Sequence, residues 1–275
     1  MDNVFESCTS LKYLDISNFN TKNVVYMTYL FTNCQSLISL DLSSFDNQNL
    51  RYMGYLFKNC YELENINFGS KFYTSKITNM ESLFENCYKL KKLDLSGFQT
   101  NFVTNMCKMF YNCKSLTSLD VSNFDTHNLV RMLSIFENCE SLTKININNF
   151  DTSGITDMSA IFKGCKSLQE IEISNIDTSK VIKMSSTFQG CNSLKSLNIK
   201  NFNTQTVRNM THMFEGCSEL SELDLSSFNT LKCTTFENIF EGCNGLELTV
   251  NENTCSNLYK HLPEYITVKN VTEIY

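Results

Sequence analysis

Cysteine is the residue type of this 275-residue chain best suited to chemistry, because its thiol forms disulfides, binds zinc and acts as a nucleophile. Most of the 13 cysteines recur 26 residues apart, with one step of 27. These repeat cysteines are Cys8, Cys34, Cys60, Cys87, Cys113, Cys139, Cys165, Cys191, Cys217 and Cys243. Side chains stacked one repeat apart point in parallel, whereas a disulfide needs them to face each other. We therefore predict buried, inert thiols that behave as small hydrophobic residues.

The cysteine pairs that lie closest in the sequence do not indicate a metal site. Cys107 with Cys113 and Cys233 with Cys243 lie near each other in the sequence, but no histidine completes either set for zinc. Cys233 occupies an apolar position of the repeat, and we predict that Cys107 is the exposed thiol. We predict no metal and no cofactor.

The histidines show no catalytic pattern. His127, His212 and His261 have no recurring nucleophile or carboxylate partner, so neither a hydrolytic triad nor a metal site is indicated. No glycine-rich phosphate loop follows a predicted strand. We predict no catalytic residues and therefore no enzyme. A site within the C-terminal segment is the remaining enzymatic alternative.

A column of polar residues, most of them acidic, recurs seven residues after the repeat cysteine, which is counted as position 0. Its members are Asp15, Asp41, Asn67, Asp94, Asp120, Asn146, Glu172, Asn198 and Asp224. Carboxylates in such a column could bridge calcium or bind a protein or glycan, and the third alternative is a merely solvated face. Calcium needs six or more oxygens, usually from turning loops, which a flat column lacks. We predict a binding face for a protein or glycan partner.

Four tyrosines form the second candidate surface. Tyr26, Tyr29, Tyr52 and Tyr55 occupy positions +18 and +21 of two consecutive repeats, so they are expected to form one patch. Tyrosine provides large, stiff contact area and is enriched at interfaces. The alternative is that these rings only shield the convex side of the coil.

The elements that position these residues follow from the apolar positions of the repeat. Leucine stands at +3, and apolar residues at +6 and +8 alternate with polar ones, as in a strand, which places position +7 on the outer face. An aromatic residue follows near +11, and methionine at +19 with phenylalanine at +23 has the spacing of one helical turn. The pattern predicts an α/β repeat solenoid: a right-handed, leucine-rich-repeat-like coil with one short parallel strand per repeat and a short helical or 3₁₀ return.

The repeat also predicts the organisation of the chain. Residues 1–250 are predicted to form the solenoid, with nine to ten repeats, and residues 251–275 a C-terminal cap. Met1 falls at position +19, so the chain begins in the middle of a repeat, and we expect a further segment before it. The single 27-residue step lies between Phe68 and Phe72, where we expect a bulge.

Charge and hydropathy limit the function classes. The formal net charge is −6 and no basic run is present, which argues against nucleic acid as a partner. No stretch approaches the roughly 18 apolar residues of a membrane-spanning helix, so no membrane insertion of this segment is predicted. The N-terminus shows no signal-peptide pattern and no anchor is visible.

The repeat unit resembles a known family. The segment from Asn105 to Thr126 contains Met-x-x-Met-Phe-x-x-Cys-x-Ser-Leu-x-x-Leu-Asp and Phe-Asp-Thr. In these residues it is similar to the BspA-type leucine-rich repeat of bacterial and protist surface proteins. The resemblance implies a curved solenoid at the cell surface or secreted, which binds host-surface or matrix proteins without catalysis. The alternative is an intracellular (cytoplasmic) protein-interaction scaffold, which free thiols and the absence of a visible export signal favour.

Overall fold

The computed structural model describes residues 1–271 and shows a solenoid with short parallel strands. The strands are β1 (Ser39–Asp41), β2 (Asn65–Asn67), β3 (Lys144–Asn146), β4 (Glu170–Glu172), β5 (Glu222–Leu225), β6 (Glu247–Val250) and β7 (Thr267–Asn270). Helix α1 (Glu252–Tyr259) lies between β6 and β7. The pairs β1–β2 and β3–β4 and the sheet β5–β6–β7 are all parallel. The predicted solenoid with short parallel strands is confirmed, and β1 to β6 lie in six of its ten repeats.

The strand register reproduces the repeat. Leu40 pairs with Ile66 and Ile145 with Ile171, each 26 residues apart. Equivalent side chains of successive coils therefore lie above one another, and each apolar position becomes a column through the core.

A stack of phenylalanine rings forms the centre of this core. The rings at position +23 lie nearly parallel from Phe5 to Phe240, and in the middle of the chain the centroids of Phe84, Phe110 and Phe136 are 5.7 Å apart. The side chains of these three residues are fully buried. Offset stacked rings add to the free energy gained from burial.

The return between +19 and +25 differs in detail from the predicted helical turn. Alternate backbone N–H groups donate to the next coil, as from Phe84 N to Met109 O at 2.9 Å and Asn86 N to Tyr111 O at 2.8 Å. The residues between them make 3₁₀-type bonds to the carbonyl three residues earlier, such as Glu85 N to Ser82 O at 3.2 Å. The backbone φ is positive at +21 and +25, as at Lys108 (56°) and Asn112 (60°).

The repeat thiols are held inside this return. Cys113 Sγ donates to Phe84 O at 3.3 Å, and Cys139 Sγ makes the same bond to Phe110 O. Burial raises the pKa of the Cys34 thiol to about 11. All 13 cysteines are free and the repeat cysteines from Cys34 onward are buried. The prediction of buried, unpaired thiols holds for these residues.

The prediction for Cys107 is wrong. Its side chain is only 5% exposed, while Cys8 in the first coil is exposed. Position +20 of this coil packs inward beside Arg131, and burial is the largest cause of the raised pKa of the Cys107 thiol. A period-based sequence argument cannot see that neighbour.

Buried threonines at +13 tie each bend to the next coil. Thr178 Oγ1 donates to Asn203 O at 3.0 Å and accepts the N–H of Asn203 at 2.7 Å. A hydroxyl can both donate and accept, so one side chain satisfies two backbone groups at a buried corner.

The irregular coil places its extra residue after β2. Gly69 has a φ of 66°, and a Cβ at this residue would lie 2.5 Å from Ser43 Cα. The β1–β2 register continues without interruption to Asn67. The extra residue therefore lies in the turn that begins at Phe68 and not in the paired strand.

The C-terminal segment continues the sheet. The side-chain oxygen of Asn251 caps α1 by accepting from Asn253 N at 3.0 Å, and β7 pairs with β6 in parallel. The residues described from 251 onward therefore cover the last coil with a helix and a strand. The division of the chain at residue 250 remains a prediction, and residues 272–275 of the predicted cap lie outside the described part.

Candidate interaction face on the strand side

The strand face is defined here by the outward positions +5 and +7 of the coils. The +7 residues Asp15, Asp41, Asn67, Asp94, Asp120, Asn146, Glu172 and Asn198 are all exposed, and Asp224 is half-buried. Their apolar neighbours at +6 and +8 point into the core, as Ile145 and Ile147 do. The pleat of the strand therefore brings the predicted column together on one surface.

Most of these side chains also terminate the strand segment. One oxygen of Asp120 accepts the N–H of Ser122 at 2.9 Å, and Asp15, Asp41 and Asp94 make the same contact to the residue two positions later. This is the local bond through which Asp and Asn favour turns. At Asp120, bonds from the Ser122 hydroxyl and N–H lower the carboxyl pKa, so its charge is retained at neutral pH.

Repulsion along the column is reduced by donors from neighbouring coils. Asn67 Nδ2 donates to Asp41 Oδ1 at 3.1 Å, and Asn146 Nδ2 donates to Glu172 Oε2 at 2.7 Å. Lys200 Nζ lies 3.1 Å from Asp224 Oδ2. The amides therefore alternate with carboxylates in a way that lowers the electrostatic cost of stacking them.

Position +5 adds acidic residues that the sequence analysis did not single out. Glu170 in β4 and Glu222 in β5 stand at +5 beside the +7 column, where Glu170 pairs with Lys144. Glu247 in β6 stands at +4 of the last repeat and pairs with Glu222. The same two-residue alternation that identified +7 also marks +5, so these residues could have been found from the sequence. They make the strand face predominantly acidic, with Lys92, Lys144 and Lys269 as its cations.

The face is concave between β3 and β4. A cavity of about 360 Å³ lies there, lined by Asp120, Lys144, Asn146, Glu170 and Glu172 among others. The buried side chains of Leu119 and Ile145 form part of its floor. A long side chain of a partner could place its aliphatic part on this floor and its polar end among the carboxylates.

Within residues 1–271, no cluster of three or more histidine, cysteine, aspartate or glutamate side chains is arranged to hold a metal ion. In the same range, no helix is long and apolar enough to cross a membrane.

The four tyrosines form a second surface, called here the tyrosine surface, on the return side. Tyr26 and Tyr52 stack with centroids 4.8 Å apart and planes at 3°, and Tyr29 and Tyr55 stack at 4.9 Å and 19°. Tyr26 is 49% exposed and Tyr52 is 42% exposed, while Tyr55 is half-buried. The predicted single patch is present. Each ring therefore covers one face of its partner in the neighbouring coil.

The backbone beneath the tyrosine surface favours other residues. Tyr29 and Tyr55 have φ values of 57° and 61°, a region in which bulky side chains are uncommon. At +18, Asn79 and Asn105 accept the N–H two residues later at 2.8 and 3.0 Å, a bond that tyrosine cannot make. Local structure therefore does not explain the choice of tyrosine at these positions.

Comparison with protein families gives one match along almost the whole chain. The family described as "Mycoplasma protein of unknown function, DUF285" matches residues 1–92, 61–171 and 132–253. No curated protein matches the sequence.

Solved structures give weaker likenesses. A leucine-rich repeat protein from Bacteroides ovatus is 18% identical, with 90% of this chain and 88% of that chain covered and a TM-score of 0.29. A leucine-rich cell surface protein from Faecalibacterium prausnitzii is 16% identical, with coverage of 89% and 76% and a TM-score of 0.30. A TLR13 chain in complex with ssRNA13 is 14% identical, with coverage of 89% and 48% and a TM-score of 0.22. Scores this low support no inference about function, and the fold is established by the coils themselves.

Proposed function

We propose that this chain, which belongs to the DUF285 family, is a non-enzymatic recognition module whose strand face binds an extended, cationic segment of a protein partner. The observation that carries the proposal is the exposed acidic column at +7, whose carboxylates are held in place by turn bonds. Binding then needs little ordering of side chains, which is one of the main costs of association.

The spacing of the column supports an extended partner. Adjacent strands in a sheet lie about 4.8 Å apart, and an extended chain advances about 3.3 Å per residue. A peptide that runs along the solenoid axis can therefore place a cationic side chain near successive coils. Its affinity should fall as salt is added, because exposed charges are screened over about 8–10 Å at 0.1–0.15 M ionic strength.

The location and partner class extend this proposal. We place the module at the cell surface or outside the cell, with a host-surface or matrix protein as its partner, on the strength of the motif resemblance to BspA-type repeats. A glycan is the second partner class, and an intracellular scaffold is the alternative location. Susceptibility of the protein to protease added to intact cells distinguishes the two locations.

The test compares two triple variants with equal changes of charge. Asp15→Asn, Asp41→Asn and Asp120→Asn remove three carboxylates from the strand face while keeping an oxygen for each turn bond. The control changes Asp125, Asp151 and Asp177 to Asn, which make the same turn bonds at position +12 outside the strand face.

The probe is an extended peptide of alternating lysine and serine, followed by a panel of host-surface and matrix proteins. We expect the strand-face variant to bind the peptide at least tenfold more weakly at low salt, and the control variant to lose less than threefold. Equal losses in the two variants would mean that only the net charge matters, and the proposed binding face would be wrong.

The tyrosine surface is a second candidate contact site for a protein partner, supported by the tyrosines at positive φ. Tyr26→Asn and Tyr52→Asn introduce the residue that Asn79 and Asn105 provide in the following coils. We expect both variants to fold, so a loss of partner capture would be due to the missing rings. Unchanged capture would assign these residues to shielding of the coil.

A further inference from the structure

A repeated asparagine at position +10 satisfies carbonyl groups of the preceding coil. Asn123 Nδ2 donates to the carbonyl oxygens of Leu95, Ser96 and Phe98 at 3.0, 3.4 and 3.0 Å. Asn149 Nδ2 is placed in the same way, 3.2–3.3 Å from three carbonyl oxygens one coil earlier. In these two coils the turn after the strand therefore presents a small cluster of acceptors that the asparagine nitrogen satisfies.

Gly97 is the one residue at +10 that has no side chain, because the other coils carry asparagine or serine there. A Cβ built on Gly97 would meet no atom within 4 Å, and Gly97 is not among the residues of positive φ. Neither packing nor backbone conformation therefore requires glycine at this position. Glycine leaves empty the space that a side chain would occupy at this position.

The space beside Gly97 is part of a cavity of about 390 Å³ next to the irregular coil. Phe68, Phe72 and Phe98 contribute to its walls, and Asp94 and Gly97 lie at its edge. The ring centroids of Phe68 and Phe98 are 5.0 Å apart, so the aromatic wall is continuous. The cavity thus combines aromatic rings with one carboxylate and with the polar residues Asn67, Ser70 and Ser96.

The carbonyl groups beside Gly97 lack the donor that the next coils provide. No residue of the described chain, 1–271, donates a hydrogen bond to the carbonyl oxygens of Phe68, Gly69, Ser70 or Phe72. In the next two coils the corresponding oxygens accept from the +10 asparagine, as Leu95 and Phe98 do from Asn123. The cavity therefore offers acceptors without a donor of its own.

We propose that this cavity binds the side chain of a lysine from the protein partner. The ammonium group carries three N–H donors and would take the place of the missing asparagine nitrogen among the carbonyl oxygens. Asp94, which uses one oxygen for Ser96, provides the negative charge that favours an ammonium over a neutral amide. The methylene groups of the lysine would pack against Phe68, Phe72 and Phe98.

This inference rests on the proposed function for its choice of a cationic protein partner, but its test does not depend on the whole strand face. The probe is Nα-acetyl-lysine N-methylamide, titrated into the protein and followed by NMR shifts of backbone amides. Nα-acetyl-norleucine N-methylamide, which has the apolar stem without the amine, is the matched control ligand.

The decisive variant is Gly97→Asn, which fills the cavity with the side chain that the next coils use. We expect it to fold with a melting temperature no lower than that of the unchanged protein, because the new Cβ has room and the new amide has acceptors. We expect at least tenfold weaker binding of the lysine probe. Ser227→Asn, at the same position of a later coil, is the control and should bind the probe as the unchanged protein does.

Three results would overturn the inference: no binding of the lysine probe to the unchanged protein, equal binding by Gly97→Asn, or equally tight binding of the norleucine probe. The Asp15, Asp41 and Asp120 variant leaves the cavity intact and separates the two proposals. If that variant loses neither peptide nor lysine probe while Gly97→Asn loses the probe, the lysine site stands and the extended strand-face function fails.

Discussion

The two sides of each coil are held together in different ways. On the return side, the phenylalanine N–H at +23 donates to the next coil throughout the solenoid, from Phe5 to Leu30 through Phe214 to Ile239, at 2.9–3.0 Å. On the strand side, sheet pairing is interrupted: within residues 1–271, the repeats that begin at Cys8, Cys87, Cys113 and Cys191 have no assigned strand at the equivalent position. The return side is therefore a uniform support, and the strand side is where the sequence can vary.

The same contrast appears in the residues that fill equivalent positions. The return side repeats phenylalanine, methionine and cysteine with few exceptions, whereas the strand face mixes aspartate, asparagine, glutamate and lysine. A surface that carries recognition must be able to change without loss of the fold. The return side makes this possible because it supplies the regular hydrogen bonds and most of the ring stacking.

The largest expected effect is on a buried ring of the return side. Phe110→Ala removes a fully buried ring stacked between Phe84 and Phe136, and we expect it to lower the free energy of unfolding by about 3–5 kcal/mol. Leu119→Ala on the strand side, next to an interrupted strand, should cost about 2 kcal/mol. Urea denaturation measures both. A larger loss for Leu119→Ala would contradict the contrast between the two sides.

The second prediction compares two asparagines. Asn112 on the return side donates to Asn86 at 2.6 Å, accepts from Asn138 at 2.8 Å and has a φ of 60°. Asn112→Ala should therefore cost about 1–3 kcal/mol, from lost hydrogen bonds and a strained alanine.

Asn146 on the strand side is the matched comparison. It is exposed and bonds Asn148 and Glu172, so Asn146→Ala should cost no more than about 1 kcal/mol. Thermal unfolding of both variants tests the ranking, and equal shifts in melting temperature would be evidence against it. Asn112→Gly, which relieves the positive φ, should recover part of the loss.

The third prediction compares two glycines. Gly164 on the return side has a φ of 71°, and a Cβ there would lie 2.0 Å from Asn138 Oδ1, so Gly164→Ala should cost about 1–3 kcal/mol. Gly97→Ala on the strand side has open space and should change stability by less than about 0.5 kcal/mol or raise it. Chemical denaturation of both variants measures the difference, and destabilisation by Gly97→Ala as large as that by Gly164→Ala would refute it.

The smallest expected effects are those of pH on stability. The strand side should lose stability at low pH, and the return side at high pH. On the strand side, the bonds from Ser122 lower the folded-state pKa of Asp120, so its contribution to stability is present above the unfolded-state pKa of about 3.9. That contribution is lost as pH falls through the lower, folded-state pKa. Binding of the cationic peptide should be nearly constant from pH 5 to 8 and should weaken below about pH 4.

On the return side, burial raises the folded-state pKa of the Cys34 thiol to about 11. Its contribution is complete below the unfolded-state pKa of about 8.5 and is lost as pH rises through the folded-state value. Unfolding midpoints measured from pH 3 to 11 should therefore fall at both ends, with the alkaline loss reduced by Cys34→Ala. An alkaline limb unchanged in Cys34→Ala would show that other groups cause it.

Much of this structure can be predicted from the repeat, but particular residues mark the limit. Period and alternation place Asp120 on an outer face and Phe110 in the core, as observed. The left-handed backbone of the return is also indicated by the sequence, because the residue before the repeat cysteine is asparagine from Asn33 to Asn138 and glycine from Gly164. The burial of Cys107 beside Arg131 could not be predicted from the sequence, because it depends on a neighbour one coil away.

The candidate site shows the same limit. Sequence alone shows a glycine at position 97 in a column of asparagine and serine. Only the tertiary structure shows that Asn123 donates to three carbonyl oxygens of the preceding coil and that the carbonyl oxygens beside Gly97 have no such donor within residues 1–271.

The sequence by itself determined the coil, the identity of the buried columns and the position of the acidic residues on one face. A strict period forces equivalent side chains to stack, whatever the details of the turns. The tertiary structure decided which sides of the coil are continuously hydrogen-bonded, which rings stack at the surface and where a cavity opens. Those features depend on distances between neighbouring coils, and a one-dimensional pattern does not contain such distances.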